Sequence, residues 1–344
     1  MSAKKTALIT GVTGQDGAYL AKLLLEKNYR VVGAVRRAST LNLPRLAALN
    51  IDRDVELQTL DVQDLTSIVR MIETIQPDEI YNLSGQSSPQ ASFQQPLYTG
   101  QTVGLGILRL MEAVKLVNPA IRIFEAASSE IFGLGSKNPI CEKQDFHPRS
   151  PYGVAKLFAY WSVVNSREAH GLHASNGIMF SHESPLRGME FVTRKIVLGL
   201  CKIKLNRQKT LYLGNLYAKR DWGHAKDYVR GMWMITQHEQ PDDFVLATGK
   251  MYSVREFVEN AAEYFGFKIQ WRGEGLQETG YCPTMGRDII RVSEKYYRPT
   301  EVEQLLGDAT KAKQTLEWSP TISFQDLVKR MVQTEVQSLK QNTL

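Results

Sequence analysis

The sequence predicts an α/β fold: a Rossmann-type, doubly wound parallel sheet with a smaller C-terminal substrate-binding lobe. Three observations predict it. Short β-branched runs alternate with helical stretches through the first half, a glycine-rich turn directly follows the first run, and the pattern loosens after about Ser181. Alternation of this kind is what a parallel sheet wrapped by helices on both faces requires.

Strands are expected at Thr6–Thr10, Arg30–Val35, Val55–Thr59, Glu79–Leu83 and Ile121–Ala127. Helical stretches between them include Ala18–Glu26, Leu65–Ile75 and Leu105–Lys115. A long helix is expected from Tyr152 to about Ala169, then a strand at Ala174–Ile178. Beyond it, helices at Phe191–Lys204, Ala225–Gln237, Ser253–Phe265 and Ser323–Leu339 mix with short strands at Leu211–Leu213 and Phe244–Ala247. The division expected is a first lobe over residues 1–180 and a second mainly over 181–344, with Phe244–Ala247 returning to the main sheet. Gly133–Arg149 reads as a loop over the site.

A chain of 344 residues is long enough for a full core and two lobes. With 43% hydrophobic and 23% charged residues it has an ordinary globular composition. The net charge of +6 raises nucleic acid as a partner, but no basic block carries interleaved aromatics. A phosphate-bearing small ligand explains scattered pairs such as Arg36–Arg37 and Lys219–Arg220 as well. No apolar run reaches membrane-spanning length, and the N-terminus enters a strand without a signal-peptide apolar region. Cys141, Cys201 and Cys282 are far apart and odd in number, and no Cys/His cluster suggests a metal. A reducing cytoplasm is the natural reading.

Gly11, Gly14 and Gly17 lie in GVTGQDG, between the first strand and a helix. Glycines there let the backbone approach a pyrophosphate, and the helix N-terminus offers free N–H groups. An empty turn is the plain alternative, which the strand–turn–helix context disfavours. The end of the second strand carries Arg36 and Arg37 instead of an acidic residue. Guanidinium groups suit a 2′-phosphate, so NADP is favoured over NAD; a solvated charge pair is the alternative. Asp61, after the third strand, is placed to meet the adenine, or simply caps a helix.

Tyr152 and Lys156 form a Tyr-x-x-x-Lys unit, and residues four apart share one helix face. An ammonium beside a phenol favours its ionised form, making Tyr152 a usable acceptor for a hydroxyl proton. Lys156 also reaches the nicotinamide ribose. Ser128 ends the fifth strand, at the carboxyl edge where such sheets bind ligands, and can bond the same hydroxyl. Glu130 is the unusual member, since plain alcohol oxidation needs no carboxylate. Its presence suggests a second proton transfer; a solvated loop carboxylate is the plain alternative.

These residues together resemble the extended short-chain dehydrogenase/reductases, and most closely their GDP-mannose 4,6-dehydratase family. The likeness runs over essentially the whole chain, through EIYNLSGQS, SPYGVAK, HESPLRGMEFVTRKI, LGNLYAKRDWGHAKDYV, ATGKMYSVREFVE and RPTEVEQLLGDATKAK. The resemblance implies that Gly11, Val12, Thr13, Gly14, Gln15 and Asp16 cradle the dinucleotide phosphates. It adds Arg36, Asp61, Val62, Leu83, Gln86, Ser87, Tyr98, Lys156, His182 and Arg187 to an NADP site. Val192, Lys195, Arg220, Arg298 and Glu301 would hold the GDP end of the substrate. It further implies dehydration with an internally recycled hydride, and a homodimer or homotetramer.

Some positions depart from the family pattern. Members usually have Thr where Ser128 stands, and alanines where Ser84 and Gly85 stand. They usually have His or Phe where Ser88 stands, and Asn where Ser181 stands. Smaller groups at Ser88 and Ser181 would enlarge a sugar pocket, so GDP-manno-heptose is an alternative substrate to GDP-mannose. A keto-sugar reductase or epimerase would keep Tyr152 and Lys156 without needing Glu130. A non-catalytic NADP sensor would keep the glycine turn alone. In the loop Ala38–Arg45, Leu41 and Leu43 are consistent with an interface between copies, or with packing inside one chain.

Overall fold

The computed structural model describes residues 4–134, 139–297, 300 and 302–341. Its centre is a sheet of seven strands: β1 (Thr6–Thr10), β2 (Arg30–Val35), β3 (Glu56–Thr59), β4 (Glu79–Asn82), β5 (Arg122–Ser128), β6 (Ala174–Met179) and β7 (Phe244–Leu246). The order is β7-β6-β5-β4-β1-β2-β3, and every neighbouring pair is parallel. Chain direction around the sheet therefore reverses between β1 and β4. Ligands bind at the carboxyl ends of such a switch point.

β1 and β2 are almost wholly buried apart from Arg30, which is why both read as short runs rich in apolar and β-branched residues. On one face the helices Gln15–Glu26 and Ala225–Gln237 pack with Phe124, Tyr81 and Trp318. Leu65–Ile75, Leu105–Val117 and Pro151–His170 cover the other, around Ile107, Leu110 and Ile123. Burying a side chain as large as Phe124 completely contributes about 2 kcal/mol.

Helix Gln15–Glu26 starts three residues earlier than expected, capped by the backbone of Gly14, so Asp16 falls in its first turn. β5 runs on to Ser128, which pairs with Met179 and is held within the sheet. Phe244–Leu246 does return to the main sheet, in register with Gly177–Met179 of β6. On the outer edge of β7 the Glu142 carboxylate accepts from the Val245 amide at 2.7 Å. Ile140 exchanges backbone bonds with Leu306 and Asp308. The described part of the expected loop, Gly133–Leu134 and Pro139–Arg149, is thereby fastened to this edge; residues 135–138 lie outside the described residues.

The remaining strands form small sheets. Gln270–Arg272, Thr279–Cys282, Arg287–Val292 and Leu211–Leu213 make four strands; Met251–Ser253, Lys219–Asp221 and Gln304–Leu305 make three. Helices Val192–Lys204, Val254–Tyr264 and Phe324–Gln341 share a separate apolar cluster with the larger of these sheets. Among the described residues, no helix is long and apolar enough to cross a membrane.

Candidate active site

The glycine turn follows β1 with Gly11 at φ +72°, a left-handed conformation that favours glycine. A Cβ on Gly11 would also come within 2.5 Å of the Leu83 carbonyl at the end of β4. The turn thus sits tightly against the neighbouring strand, and the N-terminus of helix Gln15–Glu26 opens beside it. A groove of about 460 Å³ runs along these carboxyl ends. Gly11, Thr13, Gly14, Gln15, Asp16, Arg36, Val62, Leu83, Gln86, Ser87, Tyr98 and Arg187 line it, all of them expected. A helix N-terminus, a close-packed turn and basic side chains at one rim are the donor set a dinucleotide diphosphate requires. The residues therefore fit a nicotinamide dinucleotide.

Other expected cofactor residues sit differently. Val12 is fully buried and turned into the core against Gly33. Asp61 is exposed, and its carboxylate accepts from the Gln63 amide at 2.9 Å in a local turn; the helix cap is Asp64 instead. His182 touches the turn through Asp16, with Nε2 2.9 Å from Asp16 Oδ2 and Nδ1 2.7 Å from the Phe180 carbonyl. Both ring nitrogens face acceptors, an arrangement that favours the imidazolium. Burial alone would lower the pKa of His182; the Asp16 carboxylate outweighs it and raises it. Burial works the other way on Asp16, and His182 followed by Arg187 holds its carboxyl below the ordinary value.

Arg36 donates to the Tyr98 hydroxyl at 2.6 Å, which joins two expected cofactor residues across the groove mouth. Arg45, which no motif marks, also lines the groove and donates to the carbonyls of Thr13 at 3.0 Å and Leu186 at 2.8 Å. In the loop before it, Leu43 packs against the core of this chain while Leu41 is exposed.

Helix Pro151–His170 carries the Tyr-x-x-x-Lys unit. The Ser150 hydroxyl accepts from the Gly153 amide at 3.0 Å and Pro151 follows, a strong helix start. Tyr152 and Lys156 are both buried. Lys156 Nζ donates to Glu125 Oε1 at 3.0 Å and to the Ala126 carbonyl. Burial opposes the charge on Lys156, but Glu125 and then Tyr152 outweigh it and raise the pKa above that of an ordinary lysine. Ser128 ends β5, and its hydroxyl accepts from the Glu130 amide at 3.3 Å. Glu130 is half-buried on the turn after β5. Its carbonyl lies 2.8 Å from where a Gly153 Cβ would stand, so its turn abuts the helix start that holds Tyr152.

Beyond the sheet, Lys195 lies 3.0 Å over the Tyr296 ring, and burial followed by the charge of Lys295 brings its pKa down to about 8. Val192 opens helix Val192–Lys204. Arg220 is buried on strand Lys219–Asp221 and donates to the Lys219 carbonyl at 2.9 Å. Arg187 lies 3.1 Å from Glu183 and stacks 3.5 Å over Phe191. Arg298 and Glu301 lie outside the described residues.

A family model described as GDP-mannose 4,6 dehydratase matches residues 8–331. A GDP-mannose 4,6-dehydratase of Sinorhizobium fredii is 50% identical over 347 aligned positions, covering 99% of each chain. The GDP-mannose 4,6 dehydratase of Homo sapiens is 49% identical, over 98% of this chain and 93% of its own. The chain belongs to this family.

The fold of this GDP-mannose 4,6-dehydratase family member recurs in more distant structures. A dTDP-glucose 4,6-dehydratase from Streptomyces venezuelae, with NAD and TYD bound, superposes with a TM-score of 0.82. It is 18% identical, over 96% of this chain and 97% of its own. A UDP-glucose 4-epimerase from Thermotoga maritima gives 0.81 at 20% identity, over 97% and 99%. The Ser88 hydroxyl accepts from the Ala91 amide at 3.3 Å, capping helix Pro89–Gln94. Ser181 is half-buried, with its carbonyl accepting from the Gly223 amide at 2.9 Å.

Proposed function

We propose that this chain converts GDP-D-mannose to GDP-4-keto-6-deoxy-D-mannose with loss of water. Family membership at 50% identity supports the substrate and reaction. The observation that carries the mechanism is the half-buried Glu130, whose turn backs onto the helix start bearing Tyr152 and Lys156. A nicotinamide dinucleotide held along the glycine turn by Gly11, Gly14 and Arg36 would supply a reversible hydride acceptor for the sugar. We read that dinucleotide as NADP, on the strength of Arg36 at the mouth of the groove with Tyr98.

Ser128 and Tyr152 hold the 4-hydroxyl, and Tyr152 takes its proton as the carbon becomes a ketone. Lys156 supports the phenolate with its positive charge. The new ketone acidifies the proton on carbon 5, which Glu130 removes. The carbon 6 hydroxyl then leaves as water, with its proton from Glu130 or Tyr152. A proton restored to carbon 5 completes the product, and no net oxidation has occurred. Lys195 and Arg220 are cations of the type the diphosphate needs, with Val192 at the adjoining helix start.

In this reading residues 1–180, joined by β7, form the dinucleotide lobe, and most of 181–344 holds the nucleotide sugar. The free Cys141, Cys201 and Cys282 suit a reducing cytoplasm. Val154, Phe158 and Trp161 expose an apolar stripe on helix Pro151–His170, with Leu97 also exposed. That stripe supports a dimer or larger homo-oligomer, and a monomer by light scattering would refute it. The activity test is incubation with NADP and either GDP-mannose or GDP-manno-heptose. GDP-mannose should lose one water without accumulation of reduced cofactor. Unchanged GDP-mannose, or net cofactor reduction, would sink the reading.

A further inference from the structure

Glu125 is a fully buried carboxylate in the middle of a parallel sheet, and no step of the dehydration uses it directly. Both its oxygens are engaged. Oε1 accepts from Lys156 Nζ at 3.0 Å and Oε2 from Asn82 Nδ2 at 2.6 Å. Asn82 Oδ1 in turn accepts from Thr10 Oγ1 at 2.7 Å and Ser84 Oγ at 2.8 Å. The order of the strands explains the chain of bonds. Thr10 pairs in register with Asn82 and Asn82 with Glu125, so three polar side chains share one row on one face. The row begins at the residue before Gly11 and ends on the lysine.

An ionised carboxylate this deep is costly unless paired and hydrogen-bonded, and here it is both. Lys156 has three N–H groups, and Glu125 and the Ala126 carbonyl take two. The remaining N–H therefore has a set direction. We propose that Glu125 is a positioning residue, which pairs with the Lys156 ammonium and fixes that charge one helical turn from Tyr152. The proposal rests on the reading above that Tyr152 and Lys156 carry the hydroxyl chemistry. The charged or titratable groups that act on this ammonium are Glu125 on β5 and Tyr152 on its own helix. Asn82 on β4, Thr10 on β1 and Asn176 on β6 are neutral, and Asp243 beyond Asn176 is already paired with Arg167 at 2.8 Å.

Glu125→Gln removes one negative charge and keeps the shape. Without that charge the ammonium should lose its proton at lower pH. The alkaline limb of the kcat/KM profile should therefore shift to the acid side by about one unit. Glu125→Asp, which keeps the charge, should leave the profile in place even with a lower kcat. A merely structural role would lower activity and leave the profile unmoved. That unmoved profile in Glu125→Gln would overturn the proposal.

A second measurement needs neither cofactor nor substrate. In the native protein the raised Lys156 pKa contributes stability that is full below the ordinary lysine value and is lost as pH rises through the raised one. In Glu125→Gln the ammonium is buried without its counter-charge, so its penalty should fade as the lysine sheds its proton. The difference in urea midpoint between the two proteins should narrow between about pH 7 and pH 10. If Glu125→Gln folds poorly, adding Lys156→Met should restore stability, because the unpaired ammonium is gone. A constant difference, or no rescue, would overturn the pairing. This arm stands even if the substrate proves to be another sugar, so the two failures are distinguishable.

Discussion

The backbone of Glu130 occupies the space that a side chain at Gly153 would fill, its carbonyl 2.8 Å from the position of a Cβ there. The contact sets the distance between the turn bearing the carboxylate and the helix bearing Tyr152. Gly153→Ala must push backbone against backbone, since Pro148 closes the other side at 3.0 Å. Overpacking of this kind costs about 1–3 kcal/mol. The variant should remain folded, with kcat reduced at least about tenfold while its Kd for NADP stays near that of the parent protein. Steady-state kinetics beside cofactor titration check this, and an unchanged kcat would show that the contact does not set the geometry.

The Asp16–His182 pair ties the glycine-turn helix to the segment after β6, and its contribution depends on pH. His182, with a raised pKa, contributes stability that is full below about 6.5 and is lost as pH rises through its folded value. Asp16, with a lowered pKa, contributes stability present above about 3.9 and lost as pH falls through its folded value. The pair is therefore strongest between about pH 4 and pH 6.5. Asp16→Asn should cost about 3 kcal/mol in that window. The deficit should shrink well above it, as His182 sheds its proton. Urea unfolding at both ends of the range measures this; an equal deficit throughout would mean the imidazole is neutral in the native protein.

On the proposed reading, Lys195 would give the substrate site its own pH limit. With burial holding its pKa near 8, the free protein loses this charge under mildly alkaline conditions. If Lys195 meets the diphosphate, kcat/KM should fall as pH rises through about 8, mainly through KM. Lys195→Gln should have a higher KM at neutral pH and lack that limb. A limb that persists in the variant would assign it to another group.

On the proposed NADP reading, Arg36 meets the 2′-phosphate. Losing a charged hydrogen bond costs about 1.5–3 kcal/mol, so Arg36→Ala should weaken NADP binding by about tenfold or more. NAD, which lacks the 2′-phosphate, should bind nearly as before. Equal losses for both would remove Arg36 from the 2′-phosphate site.

Most of the main sheet was legible because its strands are buried on both faces. Thr6–Thr10 and Arg30–Val35 read as runs rich in apolar and β-branched residues, and helix Leu65–Ile75 showed its full length. In the C-terminal half Leu211–Leu213 and Phe244–Leu246 were legible as short strands, but others were not. His182–Glu183 and Gln304–Leu305 have two residues each, too few for a period-2 pattern. Within the site, glycine spacing and Tyr-x-x-x-Lys are local signals, which a sequence displays directly. Glu125 had none: its partner Lys156 is 31 residues away, and a carboxylate between Phe124 and Ala126 only weakens a strand pattern. The bond between Asp16 and His182 spans 166 residues and appears only once β6 lies near the glycine turn. Arg45 follows Pro44 in a short helix with no motif, and nothing in the chain announces that it reaches Thr13.

Hydrogen exchange at sugar carbon 5 tests the role of Glu130 most directly. GDP-mannose should be turned over with NADP in deuterated water by the parent protein and by Glu130→Gln. The parent should yield a dehydrated product carrying one solvent deuterium at carbon 5. Glu130→Gln should bind NADP normally yet form no product and introduce no deuterium. Deuterium at carbon 5 in that variant, at the parent's rate, would contradict the account.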